Sequence, residues 1–419
     1  MIQKPKGTYD MYGEMSEKYE YIKRIFQDLM NEYNIKYIST PIFESSNLFH
    51  RGVGETSDIV TKETYDFKDR GDRDITLRPE GTAGIVRSVI ENKLYTNLPL
   101  KLWYIGPMFR YERPQSGRYR QFLQAGIEVF GDSTPLMDAN VISIMVKFYQ
   151  RIGLKGIKVR INSIGNKESR EKYRDALKDY FKPYISNLCE DCNNRYLKNP
   201  LRILDCKIDS DKECMNNAPK IIDYLDDESK KHFDEVLKYL KIMEIEYVID
   251  DKLVRGLDYY TDTVFEVEAN IEGFGSQNVI GAGGRYNNLI ENLDGPSTPG
   301  VGFAFGIERI INALEAEDVK IINDNSLDVY IAPLSENEMK YSVELASFLR
   351  DNAFSVDLDY TGKNIKSKFK EADKYNSKFI IIIGENEVKN DILTVKDNVT
   401  KEEVKVERNN ILDYLDINI

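Results

Sequence analysis

Two rhythms of apolar and polar positions run along this chain. Over residues 16–33, Tyr19, Ile22, Ile25, Phe26, Leu29, Met30 and Tyr33 recur at three- and four-residue intervals. That spacing puts them on one helical face, and Ser16 is suited to cap the helix start. Residues 138–152 also read as a helix. Elsewhere the period shortens to two. The stretches 35–44, 101–112, 121–130, 157–162 and 263–269 predict strands, with a further short one at 277–281. Pro41 argues for an edge or an interface, because proline cannot donate to a sheet ladder. The polar stretch 113–120, with Pro114 and Gly117, joins two of these strands and predicts a hairpin with a long loop. Residues 299–314 predict a glycine-bearing strand running into a helix.

Shifts in character divide the chain. From about 166 to 245 it turns to charged helical segments, which predicts an inserted helical subdomain. Residues 315–326 read as a linker. Beyond it come "LDVYIAPL", a helix over 336–351, "FSVDLDY", a helix over 363–375 and "KFIIIIG". This β-α-β-α-β order predicts a small α/β domain at 327–419 with a largely parallel sheet.

With 419 residues, 41% of them hydrophobic and 31% charged, the chain is globular and long enough for two or three domains. A net charge of −12 argues against sequence-independent coating of nucleic acid such as DNA. No run of about 18 apolar residues is present, so no membrane helix is expected, and the first residues lack the apolar core of a signal peptide. The four cysteines fall between 189 and 214, which fits a reducing, cytoplasmic setting. Two histidines, His50 and His232, leave little for a multi-histidine metal site or a Ser-His-Asp triad.

Against that acidic background, Arg110, Arg113, Arg118 and Arg120 stand within eleven residues. Arginine grips phosphate oxygens through a planar fork, so this stretch suggests a polyphosphate or nucleic-acid backbone, a solvated loop being the plain alternative. Downstream, Gln124 and Glu128 share one face of an otherwise apolar strand, and a buried carboxylate there needs a partner. Arg309 falls in the first turn of a helix, where an anion is favoured. "LVRGLDYYT" sets Arg255 beside Gly256, Tyr259 and Tyr260, and "GAGGRY" supplies Gly281, Gly283 and Gly284 before Tyr286, as if for close approach to a ligand. Neither a Rossmann fingerprint nor a Walker A sequence is present.

Taken together these stretches resemble the histidyl-tRNA synthetases, a family of class II aminoacyl-tRNA synthetases. "FRYERPQSGRYRQFLQAGIEVFG" is similar to the second motif of the class and "PGVGFAFGIERI" to the third. The helix before "TPIFE" is similar to the first motif, which builds the dimer interface. "LVRGLDYYTDTVFEV", "GAGGRYNNLI" and "TLRPEGTAGIVR" resemble stretches of the histidine enzymes. The resemblance implies an α+β catalytic domain at 1–322, with the class II antiparallel sheet flanked by helices and interrupted by the insertion. It also implies a C-terminal α/β anticodon-binding domain. It implies ATP with magnesium, L-histidine and tRNA(His) as substrates, and a cytoplasmic homodimer. Arg110 is then expected at the α-phosphate, with Arg255 opposite it. Arg309 and Arg118 fall at the β- and γ-phosphates, and Glu112 near the adenine. Glu128 and Tyr260 are expected at the imidazole ring, Tyr259 and Tyr286 complete that pocket, and Glu80, Thr82 and Gln124 hold the α-amino and carboxylate groups. For Glu80 the competing reading is a carboxylate at a helix start; for the tyrosines it is core packing.

Two features stay open. Cys189, Cys192, Cys206 and Cys214 offer four thiolates to a structural zinc, yet the C-x7-C spacing of the second pair favours free thiols, so no metal is expected. Residues 362–378 carry six lysines against two acids, which suits RNA phosphates or plain solvent, and the family resemblance favours RNA. The rival is a non-catalytic relative that regulates ATP phosphoribosyltransferase. Such proteins typically lack the anticodon domain and have eroded motifs, whereas Arg110, Arg255, Arg309 and a C-terminal α/β segment are present here.

Overall fold

A computed structural model describes residues 1–54, 57, 59–113, 117–206, 208–269, 278–321 and 326–418. Parts of the expected loop at 113–120, strand at 277–281 and linker at 315–326 lie outside them. The chain forms two compact units, Met1–Ile321 and Ile322–Ile419.

In the first unit the elements are α1 (Glu14–Glu32), β1 (Lys36–Tyr37), β2 (Phe43–Ser45), α2 (Ser46–Val53), β3 (Tyr65–Lys68), β4 (Asp74–Leu77), α3 (Thr82–Glu91), β5 (Leu100–Phe109), β6 (Gln121–Phe130), α4 (Pro135–Arg151) and β7 (Ile157–Ser163). There follow α5 (Lys167–Phe181), α6 (Glu190–Lys198), α7 (Glu213–Asn216), α8 (Asp227–Ile242), β8 (Tyr247–Ile249), β9 (Thr261–Ala269), β10 (Val279–Arg285), α9 (Leu289–Asn292), β11 (Gly300–Gly306) and α10 (Ile307–Ala316). Among the described residues, eight strands form one sheet in the order β1-β5-β6-β11-β10-β9-β7-β8. The central pairings are antiparallel, but β1 on β5 and β8 on β7 are parallel. The sheet is therefore mixed at its edges rather than antiparallel throughout. The alternating stretch 35–44 is not one strand: β1 joins the large sheet and β2 joins a separate sheet with β3 and β4. Pro41 falls between the two, where no ladder bond is lost.

The two faces of the large sheet follow from its period of two. On β6, Ala125, Ile127 and Val129 point to a core that holds Ile22, Phe26, Leu29 and Met30 of α1 and much of α4. The opposite face presents Gln124, Gly126 and Glu128. Helix α8, assigned to the insertion on sequence, puts Phe233, Val236 and Leu240 into this same core. The insertion's own small core is Tyr173, Leu177, Phe181, Leu188, Cys192, Ile203, Cys206, Met215 and Ile221.

The second unit comprises β12 (Val329–Pro333), α11 (Met339–Asp351), β13 (Val356–Leu358), α12 (Ile365–Lys374), β14 (Phe379–Ile383), α13 (Glu385–Asn390), β15 (Ile392–Asp397), β16 (Glu403–Glu407) and α14 (Ile411–Asn418). Its sheet order is β13-β12-β14-β15-β16. The first three strands are parallel, as expected. The antiparallel pair β15 and β16 was not anticipated and makes the sheet mixed.

Candidate active site

Register across the sheet builds a floor. One row runs Tyr104, Gly126, Ala304, Ala282, Glu266, Arg160 from β5 to β7. The next runs Leu102, Glu128, Gly302, Gly284, Val264. Glycine and alanine in the middle of both rows leave a cavity of about 490 Å³ above the sheet. The twelve residues given a role in the site on sequence all line it: Glu80, Thr82, Arg110, Glu112, Arg118, Gln124, Glu128, Arg255, Tyr259, Tyr260, Tyr286 and Arg309. Arg113 and Arg120 do not. Arg113 is exposed, and Arg120 stacks on Tyr111 with its guanidinium 3.9 Å from the ring centre. The arginine run thus divides between cavity and surface.

Glu128 is 1% exposed. Its carboxylate accepts hydrogen bonds from the hydroxyls of Thr82, at 2.6 Å, and Tyr286. Burial pushes its pKa up to about 8, against the downward pull of those two hydroxyls. Gly302 lies opposite it in register, and any side chain there would collide with the carboxylate. Gln124 Oε1 accepts from the Gly81 N–H and the Tyr104 hydroxyl, which fixes its amide. Glu80 accepts from the N–H groups of Thr82 and Ala83, at 2.9 and 2.7 Å. The helix-start reading of Glu80 therefore holds, and the same carboxylate also lines the cavity. Tyr259 and Tyr260 pack together and belong to the core beside the cavity, so packing and lining coexist there too.

The arginines gather toward the other end of β6. Arg110 lies over Phe122 at 5.4 Å and donates to the Pro79 carbonyl at 3.0 Å. Phe122 and Glu128 are six residues apart, about 20 Å along a strand. Arg118 pairs with Glu112 at 3.3 Å, and its Nε is buried with no hydrogen-bond partner among the described residues. Burial, with Arg118 and Arg110 nearby, pulls Arg309 below its ordinary pKa. Mutually repelling, partly desolvated cations of this kind favour an anion among them. Between the two ends, Arg255 pairs with Glu266, lies over Tyr260 at 5.5 Å, and has a buried Nε with no hydrogen-bond partner among the described residues.

The reading of the glycines changes. Gly281 and Gly283 face the core, where side chains would collide with Met145 and Tyr149, and with the Gly302 carbonyl. Gly284 makes room for Tyr260. Sheet packing by itself requires glycine at these positions, and Gly281 also lines the cavity. Arg285, in the same stretch, is fully buried against Asp138 and does not line the cavity. Arg160, Asp205, Glu266 and Glu268 line the cavity but were not singled out. The alternation of Glu266 and Glu268 in "TVFEVEA" was the available signal, because alternate residues share a face.

All four cysteines are free thiols, and it is their grouping that differs from the four-thiolate set weighed on sequence. Cys189, Cys192 and Cys206 cluster with Asp209, and Cys214 is not in the cluster.

Comparison with known proteins matches residues 7–310 to a histidyl-tRNA synthetase family model and residues 328–417 to an anticodon-binding domain. A histidine–tRNA ligase of Staphylococcus haemolyticus is 48% identical over 417 residues, covering 99% of each chain. One from Bacillus cytotoxicus is 47% identical, covering 99% of this chain and 98% of the relative. The crystal structure of apo S. aureus histidyl-tRNA synthetase superposes with a TM-score of 0.85 at 42% identity, covering 99% of this chain and 100% of that one. The helix-flanked sheet and the separate anticodon-binding fold define a class II aminoacyl-tRNA synthetase. Within that class, the chain belongs to the histidyl-tRNA synthetase family.

Proposed function

We propose that this chain is a histidine–tRNA ligase. It activates L-histidine with ATP to histidyl-adenylate and pyrophosphate, then transfers histidine to the 3′ end of tRNA(His). The observation that carries the reading is one cavity with a buried Glu128, unpaired with any cation among the described residues, toward one end and Arg110, Arg118 and Arg309 toward the other.

Chemistry follows from that layout. A histidine carboxylate oxygen attacks the α-phosphorus of ATP, and the bond to the β-phosphate oxygen breaks. Negative charge builds on the α-phosphate and on the leaving pyrophosphate, so preorganised cations there lower the barrier. Arg110 serves the α-phosphate, with Arg255 on the opposite side. Arg118 and Arg309 take the β- and γ-phosphates, Glu112 helps place the adenine, and magnesium enters with ATP. At the deep end, neutral imidazole offers one donor and one acceptor. Glu128 and Tyr260 pair with the ring, while Tyr259 and Tyr286 close the pocket. A site that satisfies both nitrogens rejects side chains that cannot. Gln124, Thr82 and Glu80 hold the α-amino and carboxylate groups.

Residues 1–322 form the catalytic domain and 327–419 the anticodon-binding domain in this reading. The lysine-rich stretch contributes less than its composition suggests. Lys363, Lys368 and Lys378 pair with Glu371, Asp359 and Asp328. Lys366, Lys370 and Lys374 are exposed at four-residue spacing on α12, a stripe suited to RNA phosphates. Exposed Tyr37, Ile42 and Phe43 around the first motif suit a homodimer interface. No helix among the described residues is long and apolar enough to cross a membrane. The reading includes a cytoplasmic site of action.

The test is ATP–pyrophosphate exchange with each of the twenty amino acids, without tRNA. Exchange with histidine alone is expected. No exchange by folded protein would overturn the reading in favour of a non-catalytic relative.

A further inference from the structure

The helical insertion carries a polar cluster that the cavity chemistry does not use. Cys192 is fully buried, Cys206 is 5% exposed and Asp209 is 2% exposed. With Cys189 they place three sulfurs and one carboxylate oxygen within 4.8 Å of one another. We propose that Cys189, Cys192, Cys206 and Asp209 form a tetrahedral structural zinc site.

Distances support four ligands around one ion. Zinc bonds of about 2.3 Å to sulfur and about 2.0 Å to oxygen put tetrahedral sulfurs about 3.8 Å apart, and sulfur and oxygen about 3.5 Å apart. The Cys189 and Cys206 sulfurs are 3.6 Å apart, and Cys206 Sγ is 3.7 Å from Asp209 Oδ2. The surroundings are those of a metal site as well. The Cys189 N–H donates to Asp209 Oδ2 at 2.8 Å, and the Asp209 N–H donates to Cys206 Sγ at 3.4 Å. Lys212 holds the other carboxylate oxygen, Oδ1, at 2.8 Å, which leaves Oδ2 turned to the sulfurs. Three thiolates and a carboxylate around a dication carry net negative charge. Lys212 and the N-terminus of α6, which begins just after Cys189, offset it. On binding, each thiol loses its proton to solvent and its sulfur takes a bond to zinc.

The insertion has reason to need such a staple. Its core is small and two of its nine buried members are these cysteines. Short 3₁₀ turns at Ile185–Asn187, Pro200–Ile203 and Ile221–Tyr224 supply much of its structure. Units of this size commonly depend on a metal or a disulfide. The insertion also reaches the cavity. Asp205, next to Cys206, lines the cavity, and Asn199 donates at 3.2 Å to Asp258 in the loop that carries Arg255.

The test is zinc content of the full-length protein after zinc loading and dialysis, by mass spectrometry. About one zinc per chain is expected. Asp209→Asn is expected to weaken zinc at least about tenfold, and Cys206→Ser to abolish it. Cys214→Ser is expected to keep full content. Because Cys206→Ser also alters the insertion's core, thiol reactivity of the wild-type chain gives an independent reading. Zinc is expected to shield three of the four thiols and a chelator to release them. Cobalt in place of zinc is expected to give thiolate charge-transfer bands with tetrahedral d–d bands. Folded wild-type protein that takes up no zinc, thiols unshielded by zinc, or Cys214→Ser losing zinc as fully as Cys206→Ser would each overturn the proposal.

Discussion

Glu128 and Asp138 are each 1% exposed, yet they do opposite work. Asp138 has its cation. Arg285 Nε donates to it at 2.9 Å, Thr263 donates at 2.7 Å, and His232 Nε2 lies 2.8 Å away. Burial alone would raise its pKa, but Arg285 and His232 more than offset that and hold it below the ordinary value. Glu128 has two hydroxyls and sits on a cavity wall, and its pKa is raised. A buried charge whose counter-charge comes from the same chain is part of the framework. One left without a counter-charge beside open space is built for something that arrives.

The largest expected effect tests the framework half of this contrast. Asp138→Ala strands the Arg285 guanidinium in the core and should cost about 3–5 kcal/mol of stability in urea unfolding. Glu128→Gln, which keeps the shape and strands no cation, should change stability by less than about 1 kcal/mol at neutral pH, or raise it. Equal losses in both variants would erase the distinction.

Arg255→Ala comes next. It lies between the two ends of the cavity, and its removal should slow adenylate formation by about 10²–10³-fold, measured by pyrophosphate exchange, with histidine affinity largely intact. Near wild-type exchange would refute its role.

The two carboxylates should also oppose each other in pH dependence. Glu128 is protonated more readily folded than unfolded. Its contribution to stability is therefore full below about pH 4.5 and is lost as pH rises through about 8. Asp138 has the reverse sign: its contribution is present above the unfolded value near pH 4 and is lost as pH falls through its lowered folded value. Urea midpoints across this range should show Glu128→Gln flattening the decline toward pH 8. A parallel decline in the variant would assign it elsewhere.

The smallest effect concerns the second unit. Replacing Lys366, Lys370 and Lys374 with alanine should weaken tRNA binding severalfold and reduce its salt dependence, read from affinities at several salt concentrations. An unchanged salt slope would remove this stripe from the RNA surface.

These contrasts also show what the sequence makes legible. Glu128 and Gln124 stand out as polar residues at alternate positions of an apolar strand, so local period and polarity suffice to find them. Arg285 stands beside Tyr286 in a glycine-rich stretch, and nothing local tells that one faces the cavity and the other turns to Asp138, 147 residues away. The role of glycines at 281, 283 and 284 is likewise set by neighbouring strands and by α4. The count of four cysteines suggests Cys214 as a fourth thiolate, whereas Asp209 is the group that lies with the other three sulfurs. Sheet edges are the other loss. The two-residue β1 and three-residue β8 pair in parallel through long-range packing that a period-two pattern does not encode.

The most direct measurement is calorimetric titration of L-histidine, and separately of ATP, into wild-type protein and Glu128→Gln. Replacing the carboxylate by an amide keeps its size and removes its capacity for charge. Histidine affinity is expected to fall by about 10²-fold or more, with ATP affinity within about twofold of wild type. Wild-type histidine affinity in Glu128→Gln would contradict it.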